Sequence, residues 1–187
     1  FELKPLTSPI KFIINMLKIA HNISNLSDAR YFAAAGFDWI IFNFGPGAAE
    51  HKHLIYGISE WISGSKVGMH VTNVDEVLYH IENHPEVQGF WLEKSFKLEL
   101  EIDHATLFSE LPLKSTSHNY QIAHSLDFNS DASKTILDLT SLEPGSFDLS
   151  SHNIAGITLS GTEEERPGFK SYGYMEDWMD ILDELND

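Results

Sequence analysis

The chain contains no cysteine, which excludes disulfides, thiolate metal centres and a cysteine nucleophile. Basic residues are scarce: 12 Lys and Arg stand against 28 Asp and Glu, a formal charge of -16. A field of that sign repels nucleic acid and anionic membrane surfaces, so neither is an expected partner. No apolar run approaches the length of about 18 residues that a membrane helix needs, and no basic stretch leads into an apolar targeting segment. The cytoplasm is the expected location.

What is present is a globular composition of 187 residues, enough for one domain with a real core. Residues 1–15 carry two prolines ahead of Met16 and read as an N-terminal extension, leaving 16–187 as a single domain. Strand patterns at Leu17 to Ile23, Trp39 to Phe44, Lys66 to Val71 and Val87 to Leu92 alternate with helix patterns. The helices begin at Ser24 or Asn25, at His53 and at Thr72-Asn73, where polar caps precede apolar periodicity. Gly36 and Pro85 supply two of the stops. In the second helix Leu54, Ile58, Trp61 and Ile62 form one side; in the third, Val74, Val77, Leu78 and Ile81 are the expected packed face. Between 95 and 134 the pattern weakens. Leu98, Leu100 and Ile102 alternate like an extra strand, Ala105 to Leu111 suits a short helix, and Leu113 to Ser117 suits a fifth strand. Thr135 to Leu139 then reads as a sixth strand, Ile154 to Ser160 as the last, and Glu176 to Leu185 as the closing helix. Strands alternating with helices imply a parallel sheet, either doubly wound or closed as a barrel. Both place function at the C-terminal ends of the strands.

The segment from Ile154 to Tyr172 draws most notice. Its apolar strand ends at Ser160-Gly161, where Gly161 can offer backbone N–H groups and Ser160 and Thr162 can add hydroxyl donors to a phosphate. Arg166 and Lys170 are nearby cations. The same Ser-Gly-Thr is also the composition of an ordinary turn.

Taken together, LKIAHNISNLSDARYFAAAGFDWIIFNF, KVGMHVTNVDEV, TILD and ITLSGTEEERPGFKS resemble phosphoribosylanthranilate isomerase, a (β/α)₈-barrel family of tryptophan biosynthesis. The resemblance covers most of residues 16 to 185, is best at both ends and is poor from 95 to 130. It implies a TIM barrel and an Amadori-type isomerisation of a phosphorylated substrate, with no cofactor. Asp138 falls at the family's general-acid position, ending the sixth strand, and Ser160, Gly161 and Thr162 fall in its phosphate site. Departures are as informative: the family's cysteine base aligns with Ala20, its arginine for the anthranilate carboxylate with Glu50, its fourth-strand histidine with Glu93, and an aspartate with Ile157. Only fourteen residues separate the sixth strand from the closing one, so the seventh β/α unit is expected to be missing or reduced. The resulting open edge would be covered by residues 1–15 or by a second subunit in a homodimer.

Setting the strand phase by the family places Ala20, His70, Glu93 and Ser160 inward at the mouth, beside Asp138. His21 or His70 could then replace the lost base. Alternatively His70, Glu93 and Asp138 form a divalent-metal site, or the polar groups simply plug the mouth. The expected function is an isomerase-like barrel that binds a small phosphorylated or anionic ligand and has doubtful turnover.

Overall fold

A computed structural model describes residues 16–45, 52–99, 102, 104–113, 118–127, 131–161 and 170–186, with the backbone alone at 52–54 and 186. The strands are β1 (Leu17–Ile23), β2 (Trp39–Phe42), β3 (Lys66–Val71), β4 (Val87–Leu92), β5 (Thr106–Ser109), β6 (Asn119–Ala123), β7 (Thr135–Asp138) and β8 (Gly156–Ser160). Each pairs in parallel with the next, and β8 pairs back to β1, so the sheet is a closed barrel of eight strands. The expectation of an open edge and a missing strand is therefore corrected. Thr135–Asp138 is the seventh strand, and the chain is short for a different reason.

That reason is the helices. Among the described residues α1 (Leu26–Ala34), α2 (Lys52–Ser59) and α3 (Val74–Asn83) follow β1, β2 and β3, and α4 (Gly173–Asn186) follows β8. No α-helix is described after β4, β5, β6 or β7; single 3₁₀ turns at Ala132–Lys134 and Leu149–Ser151 stand in two of those connections. Residues 105–111, read as a helix, instead contain β5. Leu98 and Ile102 belong to no strand but pack as loop residues on the outer core, as do Phe96, Leu113 and Leu126. β6 escaped notice because its outward residues, Asn119 and Gln121, are polar and half-buried. A barrel strand covered by a helix is apolar outward; an uncovered one has no apolar partner to demand that.

Caps place the helices where the sequence puts them. Asn25 Oδ1 accepts the Asp28 N–H at 2.9 Å, and Gly36 ends that unit with φ +74°. At α3, Asn73 accepts from Glu76 N–H at 3.0 Å while the Glu76 carboxylate reaches back to the Thr72 N–H at 2.7 Å, a reciprocal capping box. This cap also fixes the helix phase. Val77 and His80 are buried, whereas Leu78 and Ile81 are exposed, contrary to the expected packed face. Trp61, also expected inside, lies exposed with the Arg30 guanidinium over its ring.

Two apolar clusters divide the strand residues by parity. Ile19, Trp39, Ile41, Trp91, Phe108, Ile122 and Ile136 fill the barrel, whereas Ala20, Ile40, Phe42 and Leu137 pack outward with Phe32 of α1 and Trp178 of α4. Inward glycines make room for the large rings. A Cβ on Gly89 would lie 2.7 Å from the Trp39 ring and 2.8 Å from the Thr106 carbonyl oxygen. Among the described residues no helix is long and apolar enough to cross a membrane.

Gly89→Ala is expected to destabilise the fold by about 1–3 kcal/mol through overpacking, read from the urea midpoint. Gly57→Ala, where the added methyl meets open space within α2, should instead stabilise it by up to about 1 kcal/mol. A second prediction concerns acid. His80 is buried, its Nδ1 meets no hydrogen-bond partner among the described residues, and burial followed by the neighbouring His84 pushes its pKa down to about 4, against smaller upward pulls from Glu76 and Glu86. Because the unfolded chain then binds the proton first, stability should fall as pH drops from about 6.5 toward 4. His80→Leu should flatten that slope in denaturant titrations between pH 7 and 4.

Candidate functional site

Parity decides which groups reach the mouth. On β1, Ile19 lies inside the barrel and Ala20 in the outer core, so Ala20 does not face the mouth as expected; His21 does. Its imidazole stacks on the Trp91 indole at 4.5 Å with the planes 5° apart, and its Nδ1 lies 3.0 Å from Thr158 Oγ1. Burial lowers the His21 pKa. The charge of Asp138 and a hydrogen bond with the Leu159 backbone pull it upward, His70 and His124 push it down, and the net shift is downward. His21 is thus a neutral base at neutral pH.

The remaining strand ends complete a ring. After β3 and β4, His70 Nε2 lies 3.0 Å from Glu93 Oε2. After β6 and β7, His124 Nδ1 lies 3.1 Å from Asp138 Oδ2, and His124 Nε2 lies 3.2 Å from Glu110 Oε1. Lys94 Nζ holds the other Glu110 oxygen at 2.9 Å. Burial raises the Glu110 pKa, but Lys94 and His124 outweigh it and hold the carboxyl below its usual range. Asp138 is nearly buried, and its Oδ1 accepts the Thr140 N–H at 3.0 Å.

Opposite this charged half lies an amide half. Asn22, left-handed at φ +57°, donates from Nδ2 to Ser160 Oγ at 3.4 Å and accepts from Asn43 Nδ2 at 3.0 Å. A non-glycine residue held there next to His21 marks a constrained site, since such backbone costs about 1–3 kcal/mol.

The loop expected to bind phosphate is built differently. Gly161 N–H donates to the His21 carbonyl oxygen at 2.8 Å, and Ser160 N–H donates to Thr140 Oγ1 at 3.1 Å, so both backbone donors are used within the protein. Gly161 is required for close packing: a Cβ there would sit 2.9 Å from the Asn22 carbonyl oxygen and 3.0 Å from Asp28 Oδ2. Lys170 is likewise engaged. It is buried against Asp28, whose carboxylate also accepts from Tyr172 Oη at 2.9 Å and Asn25 Nδ2 at 3.2 Å. Glu50, Thr162 and Arg166 lie outside the described residues.

Of the sequence candidates, His21, His70, Glu93, Asp138 and Ser160 do meet at the strand ends. They do not gather as metal ligands: His70 pairs with Glu93, Asp138 pairs with His124, and among the described residues no three such side chains form a cation cage. Sequence reasoning missed Lys94, Glu110 and His124. The signal for His124 was the two-residue period Tyr120, Ile122, His124, legible only once β6 is recognised as a strand.

Lys170→Met should cost about 3–5 kcal/mol by leaving Asp28 charged and buried, as measured by chemical unfolding.

No family model matches this chain, and no curated protein matches it. Among solved structures, the chain is similar to phosphoribosyl anthranilate isomerase from Thermus thermophilus, with a TM-score of 0.60 and 16% identity over 91% of this chain and 100% of that one. At that identity the likeness is one of fold.

Proposed function

We propose that the chain is a divergent phosphoribosylanthranilate isomerase-like barrel that binds a small phosphorylated or anionic ligand at its mouth, with turnover of phosphoribosylanthranilate itself low. The observation that carries this reading is the convergence of His21, His70 and His124 with Asp138 at the strand ends, with His21 stacked on the Trp91 ring. The motif resemblance and the barrel likeness support the same lineage. Histidine rings and a hydroxyl at one mouth suit a small anion in an acidic protein, because they supply local N–H and O–H donors. Ser160 offers a hydroxyl beside them. Low turnover follows from the family arginine being Glu50, whose charge opposes a carboxylate, and from the loss of the cysteine base. Losing one proton-transfer group typically costs about 10²–10⁴ in rate.

One observation favours a second reading, an active isomerase with a substitute base. His21 reaches the mouth from the first strand, where the family keeps its base, and burial keeps it neutral and able to accept a proton.

A ligand that binds only the native state raises its melting temperature. Inorganic phosphate and ribose 5-phosphate should therefore raise it; no shift with either probe refutes anion binding. Phosphoribosylanthranilate turnover near the enzymatic norm of about 10 s⁻¹, abolished by His21→Ala, would establish the second reading over the first.

A further inference from the structure

The arrangement around His124 assigns roles that neither reading contains. Asp138 has both carboxylate oxygens occupied as acceptors, Oδ1 by the Thr140 N–H and Oδ2 by the His124 Nδ1 side. A carboxylate that accepts a hydrogen bond on each oxygen is placed to hold and orient the groups that donate to it. His124 differs. Its Nδ1 is fixed by Asp138, its ring is about half exposed, and its Nε2 faces Glu110, whose second oxygen is already paired with exposed Lys94. Glu110 can therefore leave Nε2 without losing its only charge partner. With Glu110 moved aside, Nε2 is left free with an orienting carboxylate behind the ring.

We propose that His124 is the proton-carrying residue of this mouth, that Asp138 is a positioning residue holding its Nδ1–H, and that Glu110 is the partner a ligand displaces from Nε2. The proposal rests on the reading of the mouth as a ligand site. It names the ligand class as a small hydroxylated carbonyl compound, of which a sugar phosphate is one. In the step, a carbon next to the carbonyl loses its proton to His21, and the C–H electron pair forms a C=C bond. The carbonyl π pair takes the Nε2 proton of the imidazolium form of His124, whose Nδ1–H stays on Asp138, as an O–H bond, leaving the neutral Nδ1–H ring. One proton leaves the protein and one enters it. Reversal at the neighbouring carbon gives the isomer, with no oxidant, reductant or co-reactant.

The test uses two-bond ¹H–¹⁵N spectra of the histidine rings in the full chain, with His124 assigned by loss of its signals in His124→Gln. The neutral ring should carry its hydrogen on Nδ1, and Asp138→Asn should move it to Nε2. Glu110→Gln should leave it on Nδ1, which keeps the test open should the Asp138 variant fail to fold. Ribose 5-phosphate, at a concentration that raises the melting temperature, should shift the Nε2 resonance more than Nδ1. A neutral ring with its hydrogen on Nε2 in the unsubstituted protein, a tautomer unmoved by Asp138→Asn, a tautomer moved by Glu110→Gln, or an Nε2 resonance fixed while the probe binds would each overturn the assignment. Absence of any melting shift fails the ligand reading instead, and the tautomer of the free protein still decides the role of Asp138.

Discussion

Closure of β8 onto β1 is the constraint from which the rest follows. Residues 17–21 pair in register with 156–160, and at Gly156 the strands approach so closely that a Cβ would lie 2.2 Å from the Leu17 carbonyl oxygen. With that seam made, every strand has two neighbours and no edge is left unpaired. Alternation along each strand then becomes a fixed division between the residues that fill the barrel and those that pack on its outer face. The seam also sets His21 beside Ser160, so the same pairing that closes the barrel brings its first and last strands into one mouth.

The protein economises on helices and keeps its strands. Among the described residues an α-helix follows only β1, β2, β3 and β8, while the segments after β4, β5 and β7 supply Phe96, Leu98, Leu113 and Leu142 as cover. Loops of this kind bury less than a helix does, and the sequence answers with polar residues on the outer face of β6. The buried Asp28–Lys170 pair performs the matching task on the helical side, joining α1 to the segment before α4. Stacking of Tyr31 on Tyr172 at 4.1 Å reinforces the join.

Much of this was legible in the residues. The caps at Asn25 and Asn73 and the strands β1, β3 and β4 follow from local chemistry, and local chemistry is what a single sequence displays. The second half was not legible, because β5 and β6 depend on neighbours. Residues 105–111 have no strong preference of their own, and Asn119-Tyr120-Gln121 becomes a strand only by pairing with β5 and β7. Once β6 was overlooked, Asp138 was counted onto the wrong strand and His124 had no partner. The phase of β1 failed for a related reason. A one-residue change of register moves every side chain to the other face, and the family's phase selected Ala20 where the chain presents His21. Gly161 was expected to offer its backbone N–H to a phosphate, whereas that N–H donates to the His21 carbonyl oxygen and the groups packed against Gly161 are the protein's own backbone and Asp28.

The uneven wall has a mechanical side. Local opening in proteins takes the least free energy where backbone hydrogen bonds have the thinnest apolar cover. Among the described residues that points to β6, whose outward Asn119 and Gln121 are half-buried and whose C-terminal end leads directly to His124. His21 sits instead on the arc between α1 and the β8 seam, where Ala20 and Leu159 are fully buried on the outer face, so a guest in the mouth would touch one wall backed by apolar packing and one faced outward with polar side chains.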